Sequence, residues 1–136
     1  MECLIYHKAK QGALTNAEIR QLVRKILTRF KSLNKSLSIQ FVSEKKIREL
    51  NKKYRGVDNV TDVLSFGLET GEDLGDIFIC YPQIKKQAKF FEVTAKEEIA
   101  RMLAHGVLHL LGFEHENKKQ EIKMFKEQEM LVKKFL

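Results

Sequence analysis

Three of the chain's four histidines fall within eleven residues, in the run HGVLHLLGFEH from His105 to His115. His105 and His109 are four apart, so on a helix they share one face, one turn above the other. Gly112 follows three residues later and can take the left-handed conformation that ends a helix, turning the chain so that His115 comes back toward the same point. Three neutral imidazoles leave a fourth position open for water or substrate, the arrangement of a catalytic rather than a structural zinc site. A lone histidine on an apolar helix is ordinarily a core residue with one hydrogen bond. Here Ile99, Met102, Leu103, Val107, Leu108, Leu110 and Leu111 make the helix apolar almost all round. Imidazoles in such surroundings cost free energy unless both ring nitrogens are engaged, and a metal ion engages one nitrogen of each. His105, His109 and His115 are therefore read as the ligands of one zinc ion per chain; three imidazoles accept nickel and copper as well.

The spacing of His105, His109, Gly112 and His115 matches the long zinc-peptidase pattern HExxHxxGxxH except at Gly106, where that pattern has glutamate. In those peptidases the glutamate handles the proton that amide hydrolysis requires. Phosphodiester cleavage depends less on one such carboxylate, because a metal and cationic side chains can stabilise charge on the phosphate oxygens and the leaving group. A cation able to face the metal is then the next requirement. The run NKKYRGVDNVTDVLSF, Asn51 to Phe66, offers Lys52, Lys53 and Arg55 just before a strand. Arginine's planar fork suits phosphate and keeps its charge near a metal, so Arg55 is the candidate catalytic residue, with a surface ion pair to Asp58 as its ordinary alternative. Glu114 could position a water, orient a histidine or face solvent, and spacing does not choose among these.

A chain of 136 residues suits one domain with one core, here residues 1–136. Hydrophobic content of 43% with 32% charged residues is ordinary for a globular protein. No apolar run reaches membrane-spanning length, and the start MECLIYHKAK lacks a signal-like layout. Cys3 and Cys80 lie in strand-like apolar stretches, as small core residues of a reducing compartment do, and a cytoplasmic location is expected. The net charge of +7 is uneven: residues 1–55 hold fourteen Lys and Arg against four acids, residues 56–81 six acids and no base, and residues 82–136 eleven against eight. A basic half on a small protein is the footprint of a nucleic-acid partner, although lysine-rich surfaces are common.

The periodicities predict strands over Cys3–His7, Leu37–Val42, Val60–Phe66 and Gly75–Tyr81. Asn16 is placed as the cap of a first amphipathic helix and Ser43 as that of a second running to about Tyr54. Pro82 starts a third, a Thr94–Glu97 capping box opens the histidine helix, and Asn117 with Gln120 opens a last helix to Phe135. GLETGEDLG, rich in glycine and acid, reads as a hairpin loop; its Glu69, Glu72 and Asp73 lack the ligand spacing of a calcium loop. The order β-α-β-α-β-β-α-α-α indicates an α+β domain, a small mixed four-stranded sheet covered by about five helices.

HGVLHLLGFEH together with NxxYRxxDxxTDVLSF and the following GDI resembles the YbeY family of bacterial ribosomal-RNA maturation endoribonucleases. The two motifs lie about forty residues apart, and the element order fits the whole chain. The resemblance implies a metal-dependent single-strand endoribonuclease acting in 16S ribosomal-RNA 3′-end processing and ribosome quality control. It also implies zinc on His105, His109 and His115, Arg55 at the family's active-site arginine, and ribosomal RNA, the ribosomal subunit and its proteins as partners. Two other classes stay in view: a metallopeptidase or amidase, against which the missing glutamate counts, and a ribosome-assembly factor that binds RNA without cutting it.

Overall fold

The computed structural model describes residues 1–68 and 71–136, so Glu69 of the acidic loop lies outside the described residues. Among the described residues, nine elements occur in the expected order: β1 (Glu2–His7), α1 (Asn16–Arg29), β2 (Ser36–Phe41), α2 (Glu44–Arg55), β3 (Val63–Gly67), β4 (Asp73–Ile79), α3 (Tyr81–Phe90), α4 (Ala95–Leu110) and α5 (Lys118–Phe135). The strands form one mixed sheet in the order β1-β2-β4-β3, with β1, β2 and β4 parallel and β3 antiparallel at the edge. The hairpin expected from the glycine-rich loop is the β3–β4 pair, in register from Val63 opposite Ile79 to Gly67 opposite Gly75.

Alternation along the strands divides the chain between the two sheet faces. Leu37, Ile39 and Phe41 of β2 and Ile77 and Ile79 of β4 meet Ile19, Leu22, Val23, Ile26 and Leu27 of α1 and the apolar side of α4 in the main core. On the other face, Ile47 of α2 packs with Val42, Leu64 and Cys80 in a smaller cluster. The helical cover is therefore unequal. Helix α2 shields only the β4–β3 end of that second face, and Leu4 and Tyr6 of β1 remain exposed beside a shallow cleft.

Helix α4 is the hub: it packs against α1, α3, α5, β3 and β4. Its start is capped by the Thr94 hydroxyl, which accepts from the Glu97 amide, but only half of the expected box forms. The Glu97 carboxylate is drawn instead to Arg101, one turn on. Helix α1 is capped one residue earlier than expected, by Thr15, whose box with Glu18 is complete. In α5, Asn117 accepts from the Gln120 amide while the Gln120 side chain reaches Glu116. Strand β3 begins at Val63 rather than Val60, because the Asp62 carboxylate takes the Val63 amide and holds residues 60–62 as a loop. Cys3 and Cys80 are both free and buried, and burial pushes both thiols up, Cys3 to about 11. Among the described residues, no helix is long and apolar enough to cross a membrane.

Candidate metal centre and phosphate pocket

Helix α4 ends where the spacing requires. Gly112 adopts a φ of 100°, a conformation that side chains disfavour. The amide of Gly112 donates to the His109 carbonyl and that of Phe113 to the Leu108 carbonyl, the paired bonds of a Schellman terminus. The chain reverses, and His115 faces back to the helix. One donor nitrogen from each of His105, His109 and His115 lies within 4.8 Å of the others. The rings of His105 and His109 stand edge to face at 4.6 Å, and those of His109 and His115 at 4.9 Å. The fourth histidine, His7, is elsewhere, stacked on Phe41 and bonded to Asn16.

The donor set fits a metal ion. The Nδ1 of His105 is 2.8 Å from Oε1 of Gln128 on α5, and Gln128 Nε2 donates to Glu129, which fixes the amide with its oxygen toward the ring. Nδ1 of His105 is thus the protonated nitrogen, and Nε2 keeps its lone pair for a ligand bond. Burial, followed by the proximity of His105 and His115, holds His109 below the usual histidine range, so its ring is neutral at neutral pH. Three imidazole nitrogens converge, with His105 and His109 half-buried and His115 exposed toward solvent.

These rings form one wall of an open pocket of about 580 Å³. The opposite wall is the edge strand β3 and the loop before it, including Thr61, Asp62 and Ser65, and Arg55 stands at the rim. Arg55 reaches the pocket because α2 stops immediately after it, at Gly56, and the following loop is tied back by Asn51, whose buried side chain donates to the Asn59 carbonyl. The surface ion pair weighed for Arg55 goes to another residue: Asp58 binds Arg48 at 2.9 Å. Of residues 1–55, only Arg55 lines the pocket; Arg20 and Arg24 lie on α1, with Arg20 donating to the Cys3 carbonyl. Glu114 is exposed and lines the same pocket.

Gly106 does not face the pocket. A Cβ at this position would lie 3.1 Å from Ile77 Cγ2 and 3.1 Å from Ser65 Oγ, and the Ser65 hydroxyl donates to the Gly106 carbonyl at 3.4 Å. The position that carries the peptidase glutamate is here the contact by which α4 lies close on β3 and β4. Sequence reasoning passed over Gln128, Asp62 and Ser65. Asp62 and Ser65 stood inside the quoted TDVLSF run, whereas Gln128, on a helix opened thirteen residues after His105, carried no local signal.

Comparison with known proteins gives the family and the fold. A family model described as Endoribonuclease YbeY matches residues 4–136. The chain is 36% identical over 126 residues to the Endoribonuclease YbeY of Sulfurihydrogenibium sp., covering 89% of this chain and 83% of that protein. It is 37% identical to that of Staphylococcus carnosus, covering 86% of each. Among solved structures, the solution structure of a protein of Thermotoga maritima superposes with a TM-score of 0.68 at 29% identity, covering 98% of this chain and 88% of that one.

Proposed function

The chain belongs to the endoribonuclease YbeY family, and from that premise we propose that it is a zinc-dependent endoribonuclease cutting single-stranded RNA at the histidine pocket. In this reading it is a cytoplasmic protein, a single domain over residues 1–136, that acts with the ribosomal subunit in maturing the 3′ end of 16S ribosomal RNA. One observation carries the reading: the three-histidine cluster and Arg55 line one open pocket together with the edge strand β3.

His105, His109 and His115 would hold the zinc, and other divalent transition metals suit the same nitrogens. A bound zinc ion supplies Lewis-acid polarisation of the phosphodiester and activation of its nucleophile. The chain's own residues do the rest. Gln128 holds the His105 ring with Nε2 toward the pocket. The Arg55 fork meets the non-bridging phosphate oxygens and stabilises the added negative charge of the transition state. Asp62 is spent on structure, accepting from Val63 and Gln87, so Glu114 is the pocket carboxylate left to interact with water. Amide hydrolysis finds no carboxylate at Gly106, where even a Cβ would press on Ile77 and Ser65 at 3.1 Å.

The test is to incubate zinc-loaded protein with an unstructured and a structured RNA, with and without chelator, and to analyse the termini. Cleavage of the unstructured RNA, abolished by chelator, is expected. Arg55→Ala should keep fold and zinc while losing roughly a hundredfold in rate, the scale for one transition-state donor. Arg55→Lys should recover little, since a point charge lacks the fork. Undiminished cleavage by zinc-replete Arg55→Ala would overturn the role given to that residue.

A further inference from the structure

Beside the histidine pocket lies a second, wider hollow of about 870 Å³, and Asp62 and Met102 line both. Its outer wall is one face of α3, where Gln83, Lys86, Gln87 and Phe90 follow at helical spacing. Phe91 at the end of α3 and Phe125 of α5 complete it. These three phenylalanines are 81%, 60% and 59% exposed for Phe90, Phe91 and Phe125 respectively, and Phe90 and Phe91 stand edge to face at 5.2 Å. Scattered exposed apolar residues are unremarkable, but three aromatic rings gathered in one hollow mark a surface built to be covered.

The polar groups around the hollow narrow what covers it. Its inner carboxylates are already answered: Arg101 binds Glu98 and Glu129, and Gln87 donates to both Asp62 and Glu98. The cation left at the mouth is Lys86, whose pairing with Glu44 at 3.4 Å is exposed and weak enough to exchange for a phosphate. Aromatic faces with a cation beside them are how sequence-tolerant sites hold a single strand, each ring taking a base and each lysine a phosphate. A duplex keeps its bases stacked on one another and cannot use such rings.

We propose that this hollow is a nucleobase subsite for the RNA strand being cut, in which bases flanking the scissile phosphate stack on Phe90, Phe91 and Phe125 while Lys86 meets the backbone. It rests on the nuclease reading above, since the strand passes from the histidine pocket over Asp62 and Met102 into the hollow. The subsite gives the enzyme its preference for unpaired RNA without reading sequence.

The experiment compares zinc-loaded native protein with Phe90→Ala/Phe125→Ala, Phe90→Leu/Phe125→Leu and Phe90→Tyr/Phe125→Tyr on a long unstructured RNA. It measures kcat, KM, zinc content and, separately, RNA affinity by fluorescence anisotropy. Because both side chains are exposed, all variants should fold and keep zinc. The alanine pair should raise KM and weaken affinity by about a hundredfold, the scale of two lost base stacks, with kcat little changed. The tyrosine pair should behave as native, and the leucine pair should fall with alanine, because leucine keeps apolar area but offers no face. Native protein that binds RNA through these rings without cutting it would support the subsite and overturn the nuclease reading. Native protein that cuts RNA with affinity and KM indifferent to all three pairs would overturn the subsite and leave the nuclease reading standing. Leucine variants with native affinity would overturn it as well, pointing to an apolar protein partner.

Discussion

The Nδ1 of His105 is held at 2.8 Å by the Oε1 of Gln128, a residue twenty-three positions away on another helix. Gln128 is itself buried and oriented by Glu129, and Glu129 is gripped twice by Arg101. A candidate metal ligand is thus aimed by a part-buried chain of hydrogen bonds running along the α4–α5 contact. Such outer partners fix the tautomer and the ring orientation of a ligating histidine. Gln128→Ala should therefore weaken zinc binding by about ten- to a hundredfold in a competition titration with a chelator. Gln128→Glu, which keeps an acceptor for Nδ1–H, should restore most of it. Zinc affinity unmoved by Gln128→Ala would show that the ring needs no such support.

Removal of a ligand acts differently from removal of its support. His105→Ala and His109→Ala should each abolish stoichiometric zinc, about one per chain in the native protein, and lower the thermal midpoint of the zinc-loaded state to that of the chelated one. Elemental analysis and a thermal melt check both. Native protein without any transition metal after reconstitution would refute the site.

Gly106 provides a prediction opposite to the one its place in the peptidase pattern invites. A glutamate there would start against Ile77 and Ser65, its first carbon 3.1 Å from each. Gly106→Glu should destabilise the fold by about 3 kcal/mol or more, from overpacking and a buried charge, without producing peptide cleavage. Chemical denaturation with a peptide-pool assay reads both. A stable variant that cuts peptides would mean that the helix can lift from the sheet.

The Arg101 network sets an acid limit on stability. Burial pushes the Glu129 carboxyl up, but hydrogen bonds from Arg101 and Gln128 outweigh it and hold Glu129 below the ordinary glutamate value of 4.5. A folded-state value below the unfolded one means that the unfolded chain takes up the proton more readily. The stability this group contributes is complete above that ordinary value and lost as pH falls through the lowered one. Thermal midpoints measured from neutral to acidic pH should fall in that window, and less steeply in Glu129→Gln. An identical acid slope in the variant would assign the loss to other carboxylates.

Salt dependence examines the basic first half. With Arg55 its one contributor to the pocket, the remaining Lys and Arg should act as a distant attraction for the strand. RNA affinity should then fall steeply with salt, and Arg24→Glu should weaken binding while zinc content stays native. Binding indifferent to salt would give that charge another purpose.

The residues that could bind metal were legible in the chain because their geometry is local. Two histidines one helical turn apart, and a glycine able to take φ of 100° before the third, determine a three-nitrogen cluster from backbone geometry alone. The element order and the β3–β4 hairpin were legible for the same reason, since periodicity and turn residues act over a few positions. Cap positions shifted where a neighbouring group competed for the same carboxylate, as Arg101 does for Glu97. What no local pattern carries is which surfaces meet. Packing of α4 against α5 brings Gln128 to His105, the close seat of Gly106 on β3 and β4 sets the histidine helix against the edge strand, and the abrupt end of α2 brings Arg55 to the pocket. Those relationships depend on burial across elements distant in sequence, where apolar contact selects the partner and the polar groups must then find one another.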